Sequence, residues 1–271
     1  MYITNNKEVA LIAENSGVDW IFVDLEINGK KDRQGHLDTV ISRHSIEDVK
    51  VIKSVLKKSK LLVRVNPVYE GSKNEIDRII NDGADIIMLP FFKTTKEVKT
   101  FIKYVGGRVK TCLLVETPEA VKNIDDILEV NGIDYIHIGL NDLHIGYKMK
   151  FMFELIVDGT VQKLCNKFKT KGIEYGFGGI ARLGQGTLLA ENIISEHYRV
   201  GSNMAILSRS FCNTSNNKEL AQIEEVFNEG IKEIREFEKY LENQPQEYYE
   251  SNHEIINQKV REIVNRINEV K

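Results

Sequence analysis

Two acidic residues, Glu116 and Asp142, each stand just past an apolar run. The first run covers residues 110–115. The second covers residues 134–139 and reaches Asp142 through Leu140 and Asn141. Continuous apolar runs of this length read as strands buried on both faces of a parallel sheet. Carboxylates at the C-terminal ends of two successive parallel strands open into one mouth, and such a pair can hold a hard divalent cation through oxygen. Metal-assisted chemistry is therefore the first reaction type the sequence suggests.

Other strand ends add to it. Arg64 lies in the segment VRVNP, residues 63–67. A guanidinium there can fork onto a carboxylate or hold a developing oxyanion. A divalent ion and an arginine suit one 2-oxo acid, the ion chelating carboxylate and keto oxygens and the arginine stabilising the enolate as it forms. On this reading, Arg64→Ala lowers turnover and leaves the fold intact. Asp24 and Glu26 end an earlier strand. The run GFGGIARLGQG, residues 176–186, follows a seventh strand. It reads either as a tight turn or as an anion site in which Gly178, Gly179 and Arg182 meet a carboxylate or phosphate. It also contains G-x-G-x-x-A, but that dinucleotide fingerprint belongs to the first unit of a Rossmann domain, so no dinucleotide cofactor is expected. His36 and His44 lie in a long loop after the second strand, and His144 follows Asp142 by two, so each is a candidate for proton transfer. His137 lies within a strand run and reads as a barrel-interior group. His197 and His253 read as surface residues.

These residues need elements to hold them. β-rich runs at residues 20–24, 61–65, 85–89, 111–115, 135–138, 173–177 and 198–200 alternate with helical patterns, and a short edge at residues 2–4 makes eight. Strand–helix alternation at this spacing means parallel β/α units, and eight of them in about 210 residues favour a closed barrel. The predicted fold is α/β, a (β/α)8 TIM barrel over residues 1–213 with a C-terminal helical extension over residues 214–271. In that extension Leu220, Ile223, Phe227, Ile231, Ile234, Phe237 and Leu241 repeat at helical spacing. So do Ile256, Val260, Ile263, Ile267 and Val270. Each stripe is open to two uses, packing on the barrel's own outside or contact between subunits.

Composition narrows the class. The chain has 271 residues, 42% of them hydrophobic, enough for a full core, and a net charge of -3 that gives nucleic acid no footprint. Its 3 cysteines fit neither a zinc spacing nor a disulfide framework, which points to a reducing cytoplasm. The opening residues lack a basic segment followed by an apolar stretch, and no apolar run is long enough to span a bilayer, so neither a signal peptide nor a membrane partner is expected.

Several motifs, taken in order, resemble the HpcH/HpaI aldolase and citrate lyase β-subunit family. They are NDGADIIMLP at 81–90 with TTKE at 94–97, VETPEAVKNIDDI at 115–127, GLNDL at 139–143 and YRVGSN at 198–203. The resemblance spans roughly residues 8–210. It implies a pyruvate- or phosphoenolpyruvate-type barrel and reversible carbon–carbon cleavage through an enolate, with Mg2+, Mn2+ or Co2+. It implies Glu116 and Asp142 as metal ligands, Arg64 as the substrate-binding and enolate-stabilising residue, and a homo-oligomer, trimer or hexamer. The 2-oxo acid aldolases of this family carry Asp-Gly-Glu-His after the second strand, whereas this chain has DLEI at 24–27, so their histidine is missing at Ile27. The expected activity is a metal-dependent lyase acting on a 2-oxo acid and an aldehyde, with Asp24 and one of His36, His44 or His144 moving the hydroxyl proton. The alternatives are a coenzyme A thioester lyase of the citrate, citramalyl or malyl type, since DLE and VRVNP also resemble the citrate lyase branch, and a metal-binding barrel without catalysis.

Overall fold

The computed structural model describes residues 1–27, 44–213 and 219–269. In chain order the elements are β1 (Tyr2–Ile3), α1 (Lys7–Asn15), β2 (Trp20–Asp24), α2 (Ile46–Val55), β3 (Lys60–Arg64), α3 (Ser72–Asn81), β4 (Ile86–Leu89) and α4 (Thr95–Val105). They continue as β5 (Lys110–Val115), α5 (Pro118–Lys122), α6 (Ile124–Leu128), β6 (Tyr135–Ile138), α7 (Leu140–Gly146), α8 (Glu154–Val157), α9 (Thr160–Thr170), β7 (Glu174–Ile180), α10 (Ala190–Val200), β8 (Met204–Leu207), α11 (Leu220–Leu241) and α12 (Gln246–Glu269). The strands form a closed barrel, each parallel to the next, and Tyr2 pairs with Leu207 to seal it. Among the described residues no helix is long and apolar enough to cross a membrane.

Side-chain alternation along a strand decides what the barrel mouth receives. On β5, Leu113 and Val115 join the layer under the helices, while Cys112 and Leu114 join the interior cluster with Phe22, Leu62, Met88 and Tyr135. Continuing that parity by one step turns Asp24, Arg64, Glu116 and Gly139 inward at the top of their strands. The helices start promptly and so fix these ends. Thr117 caps α5 with Pro118 at its first position, and Thr94 and Glu97 form a capping box on α4.

The chain departs from the sequence expectation at residues 198–200. These close helix α10 and are not a strand; the eighth strand is β8. Ile193, Ile194, His197 and Val200 are buried at helical spacing, and Gly201 ends the helix in the left-handed region. His197, expected on the surface, is buried there and stacks on Phe177 at 3.8 Å. The extension packs on the barrel, α11 on α1 and α12 on α10. Phe227 meets Tyr2 edge-on at 4.8 Å, and buried Glu196 of α10 binds Arg199 and lies 3.3 Å from His253 of α12. One cluster of buried residues runs through strands, barrel helices and both tail helices.

Glu14 holds β3 in place from a distance. Its buried carboxylate accepts the backbone N–H groups of Lys57, Lys58 and Ser59 at 2.7–3.2 Å. Burial works to raise its pKa, but the N–H groups of Lys58, Ser59 and Lys57 outweigh it and hold it below its ordinary value. Glu14→Ala is expected to lower stability at neutral pH by about 3 kcal/mol, because it strands several donors. A lowered folded-state pKa contributes stability above the unfolded pKa and loses it as pH falls through the folded one. The gap between wild type and variant in urea titrations should therefore shrink below the ordinary carboxylate range. A gap that stayed constant into acid would rule out this role.

Candidate active site

The mouth of the barrel holds a cavity of about 250 Å3. Asp24, Arg64, Glu116, His137, Asp142, Gly178 and Gly179 line it, with Ile3, Leu114, Leu140, Met152 and Ile206 as apolar wall. Seven strands and the start of α7 thus converge on one space.

Arg64 is the centre of its charge. Nε and Nη2 donate to the two carboxylate oxygens of Asp24, each at 2.8 Å, and Nη1 lies 3.4 Å from Glu26. Both carboxylates are 2% exposed. Burial disfavours the Arg64 cation, yet the charge of Asp24, then those of Glu26 and Glu116, reverses this and raises its pKa. The Glu26 N–H donates to Asp24 Oδ1 at 3.2 Å, and the Asp24 N–H donates to His44 Nδ1 at 2.9 Å. The DLE turn is therefore folded around its own acid.

Glu116 is 3% exposed and accepts the Phe91 N–H at 2.9 Å. Phe91 supplies that donor from a left-handed backbone, φ 47°, which a non-glycine residue rarely adopts. A Cβ at position 139 would lie 2.9 Å from Glu116 Oε2, so glycine there leaves the carboxylate its room. Asp142 stands in the first turn of α7 and is half-buried.

A hard divalent cation suits this donor set. Burial pushes the Glu116 pKa up to about 8; Arg64 pulls against the rise, and Glu26 and Asp142 add to it. Buried acids facing one another are relieved by a cation held through oxygen. Among the described residues no group of three or more His, Cys, Asp or Glu is arranged as a complete cage. Glu116 and Asp142 would therefore leave positions for oxygen atoms of a ligand or water.

The other sequence candidates fall in different places. Gly178 and Gly179 line the cavity, but the Gly178 carbonyl lies 3.1 Å from His137 Nε2, so this glycine presents an acceptor there. Arg182 lies outside the cavity. Past β7 the chain turns outward, and its guanidinium lies 3.6 Å from Glu229 and 3.8 Å from Glu233 of α11. The anion site built on Arg182 is thus replaced by a contact to the tail. His144 also points elsewhere: residues two apart on a helix face different sides, and its Nδ1 lies 3.2 Å from the Leu140 carbonyl. His44 sits beside Asp24, and His36 lies outside the described residues. His137, read from the sequence as a barrel-interior group, is buried inside the barrel and also lines the cavity. The inward parity of Tyr135, His137 and Gly139 on β6 was the available signal.

Known proteins share this architecture. The 2-keto-3-deoxy-L-rhamnonate aldolase of Shigella boydii serotype 4 (strain Sb227) is 30% identical, over 51% of this chain and 58% of that protein. The chain thus spans less than two thirds of the length of the curated relatives it matches. Among solved structures, an HpcH/HpaI aldolase from Desulfitobacterium hafniense DCB-2 superposes with a TM-score of 0.61 at 17% identity, covering 87% of this chain and 92% of that one. An HpcH/HpaI aldolase/citrate lyase family protein from Burkholderia cenocepacia J2315 gives 0.61 at 15% identity, covering 82% and 94%. At these identities the structures speak for the fold alone. The family model described as HpcH/HpaI aldolase/citrate lyase matches residues 1–164, well over half of the sequence, and the chain belongs to that family.

Proposed function

We propose that this protein is a divalent-metal-dependent carbon–carbon lyase that cleaves or forms a bond between a pyruvate-type 2-oxo acid and an aldehyde. The observation that carries this reading is the set of charged groups lining one small cavity, the Arg64–Asp24 pair, backed by Glu26, and the carboxylates Glu116 and Asp142. Relatives named as aldolases support it. Glu116 and Asp142 would hold the ion, Mg2+, Mn2+ or Co2+, which would polarise the carboxylate and keto oxygens of the acid.

The chain's own residues do the rest. Arg64, fixed by its fork onto Asp24, sets positive charge beside the cavity, where negative charge grows on the enolate oxygen. Asp24 and its neighbour His44 would move the proton of the aldol hydroxyl. The apolar wall of Leu114, Leu140, Met152 and Ile206 excludes water from the carbanionic carbon. The volume suits a small acid and aldehyde, and Arg64 is the one cation lining the cavity among the described residues, which favours a free acid over a coenzyme A thioester.

The same reading places residues 1–213 as the catalytic barrel, residues 214–271 as its helical extension, the protein in the cytoplasm and the assembly as a trimer or hexamer. The test is cleavage of short 4-hydroxy-2-oxo acids, followed by pyruvate release with added Mg2+ or Mn2+ and with a chelator. Metal-dependent release is expected. Release that persists unchanged in chelator would sink the metal-dependent mechanism.

A further inference from the structure

His137 is fully buried, yet it lines the cavity at the barrel mouth. On β6 it lies in register with Leu114 of β5 and Gly176 of β7, so its ring has a glycine on one side. Its Nε2 lies 3.1 Å from the Gly178 carbonyl. A carbonyl only accepts, so Nε2 carries the proton and Nδ1 is a bare lone pair. That Nδ1 is buried and has no hydrogen-bond partner. An unmet buried acceptor is costly, and in native proteins it is seldom left without a reason.

The surroundings restrict what could meet it. Ile3, Leu114, Leu140, Met152 and Ile206 supply no donor, Arg64 is turned onto Asp24 and Glu26, and the two other donor side chains on the lining, Asn141 and Ser208, make no hydrogen bond to Nδ1. Burial also lowers the His137 pKa to about 4, with the Gly178 carbonyl opposing and the N-terminal ammonium and Arg64 assisting, so the ring stays neutral near pH 7. A ligand that brings a donor would satisfy Nδ1. The oxo-acid half of the substrate offers only acceptors, its carboxylate and keto oxygens, once ionised. The donor common to every aldol substrate of the class is the hydroxyl at C4.

We propose that His137 is a substrate-binding residue of this site, whose Nδ1 accepts a hydrogen bond from the C4 hydroxyl of a 4-hydroxy-2-oxo acid. The inference rests on the lyase reading above and deepens it. The site would then select hydroxylated acids over deoxy analogues of equal length, because the analogue leaves Nδ1 unpaired. His137 takes the one proton of the bound hydroxyl in its hydrogen bond and so orients that oxygen, which turns its proton toward Asp24 before deprotonation, and it holds its own proton on Gly178 throughout.

Two measurements test this on the full-length, magnesium-loaded protein. In the first, the KM of a 4-hydroxy-2-oxo acid is compared with the inhibition constant of its 4-deoxy counterpart. Wild type is expected to favour the hydroxy acid by about 10- to 100-fold, and His137→Phe to shrink that preference to near unity. An equal preference in both proteins would overturn the proposal. The second needs no variant, and so does not depend on His137→Phe folding. In protein labelled with 15N at histidine, the Nδ1 resonance should move upfield with the hydroxy acid and stay put with the deoxy acid. No differential response overturns the proposal even if pyruvate exchange is normal. A differential response in a protein that fails to exchange pyruvate supports the binding role and discards the lyase reading alone.

Discussion

Arg64→Ala is expected to abolish most turnover and to strip stability from the barrel as well. The side chain is 12% exposed and forks onto Asp24 while Nη1 faces Glu26. Its removal leaves two buried carboxylates without a counter-charge, next to a third at Glu116. Breaking a buried pair in this way costs about 3–5 kcal/mol. Loss of a preorganised group that meets developing negative charge lowers kcat by about 100- to 1,000-fold or more. The strand-end position alone predicted a purely catalytic effect; the buried partners make the residue structural too. Urea unfolding and turnover should both respond, and Arg64→Lys should recover part of the stability but little of the rate, because an ammonium cannot fork onto a carboxylate. An alanine variant as stable as wild type would refute this picture of the cluster.

The second large effect is expected from Glu116→Gln. The amide keeps the shape and can still accept the Phe91 N–H, but it removes the charge that burial, Glu26 and Asp142 oppose. Activity should vanish, while the metal-free variant gains about 1–2 kcal/mol over metal-free wild type, the trade expected at a strained site. Metal should act on the wild type alone. At a hundredfold excess over its Kd a ligand stabilises the folded state by about 2.7 kcal/mol, so Mn2+ should raise the wild-type Tm and leave that of Glu116→Gln unchanged. Equal shifts in both would place the ion elsewhere.

Much of this was open to reading in the sequence because parallel strands have a simple grammar. Apolar runs ending in acids mark the mouth, and Thr94, Thr117 and Pro118 mark the helix starts that follow. What failed were places where local pattern and tertiary position diverge. Tyr198, Arg199 and Val200 look β-prone, but Ile193, Ile194 and His197 before them set a helical phase that runs through to Gly201. Arg182 sits in a glycine-rich run that suggests an anion site, but its direction depends on how the chain leaves β7, and acids of α11 more than forty residues later receive it. His144 is near Asp142 in sequence and apart from it on the helix. His137 was read as a barrel-interior group and is one; that it also lines the cavity follows from an inward position near the top of a strand, which is at once core and cavity lining.

The most direct test of the central claim is proton NMR of pyruvate in deuterated buffer with this protein and Mg2+, with and without chelator. Enolate formation predicts that the methyl signal decays, that chelator stops the decay, and that no aldehyde is needed. A methyl signal that stays constant with metal bound would contradict the lyase chemistry assigned to Arg64, Glu116 and Asp142.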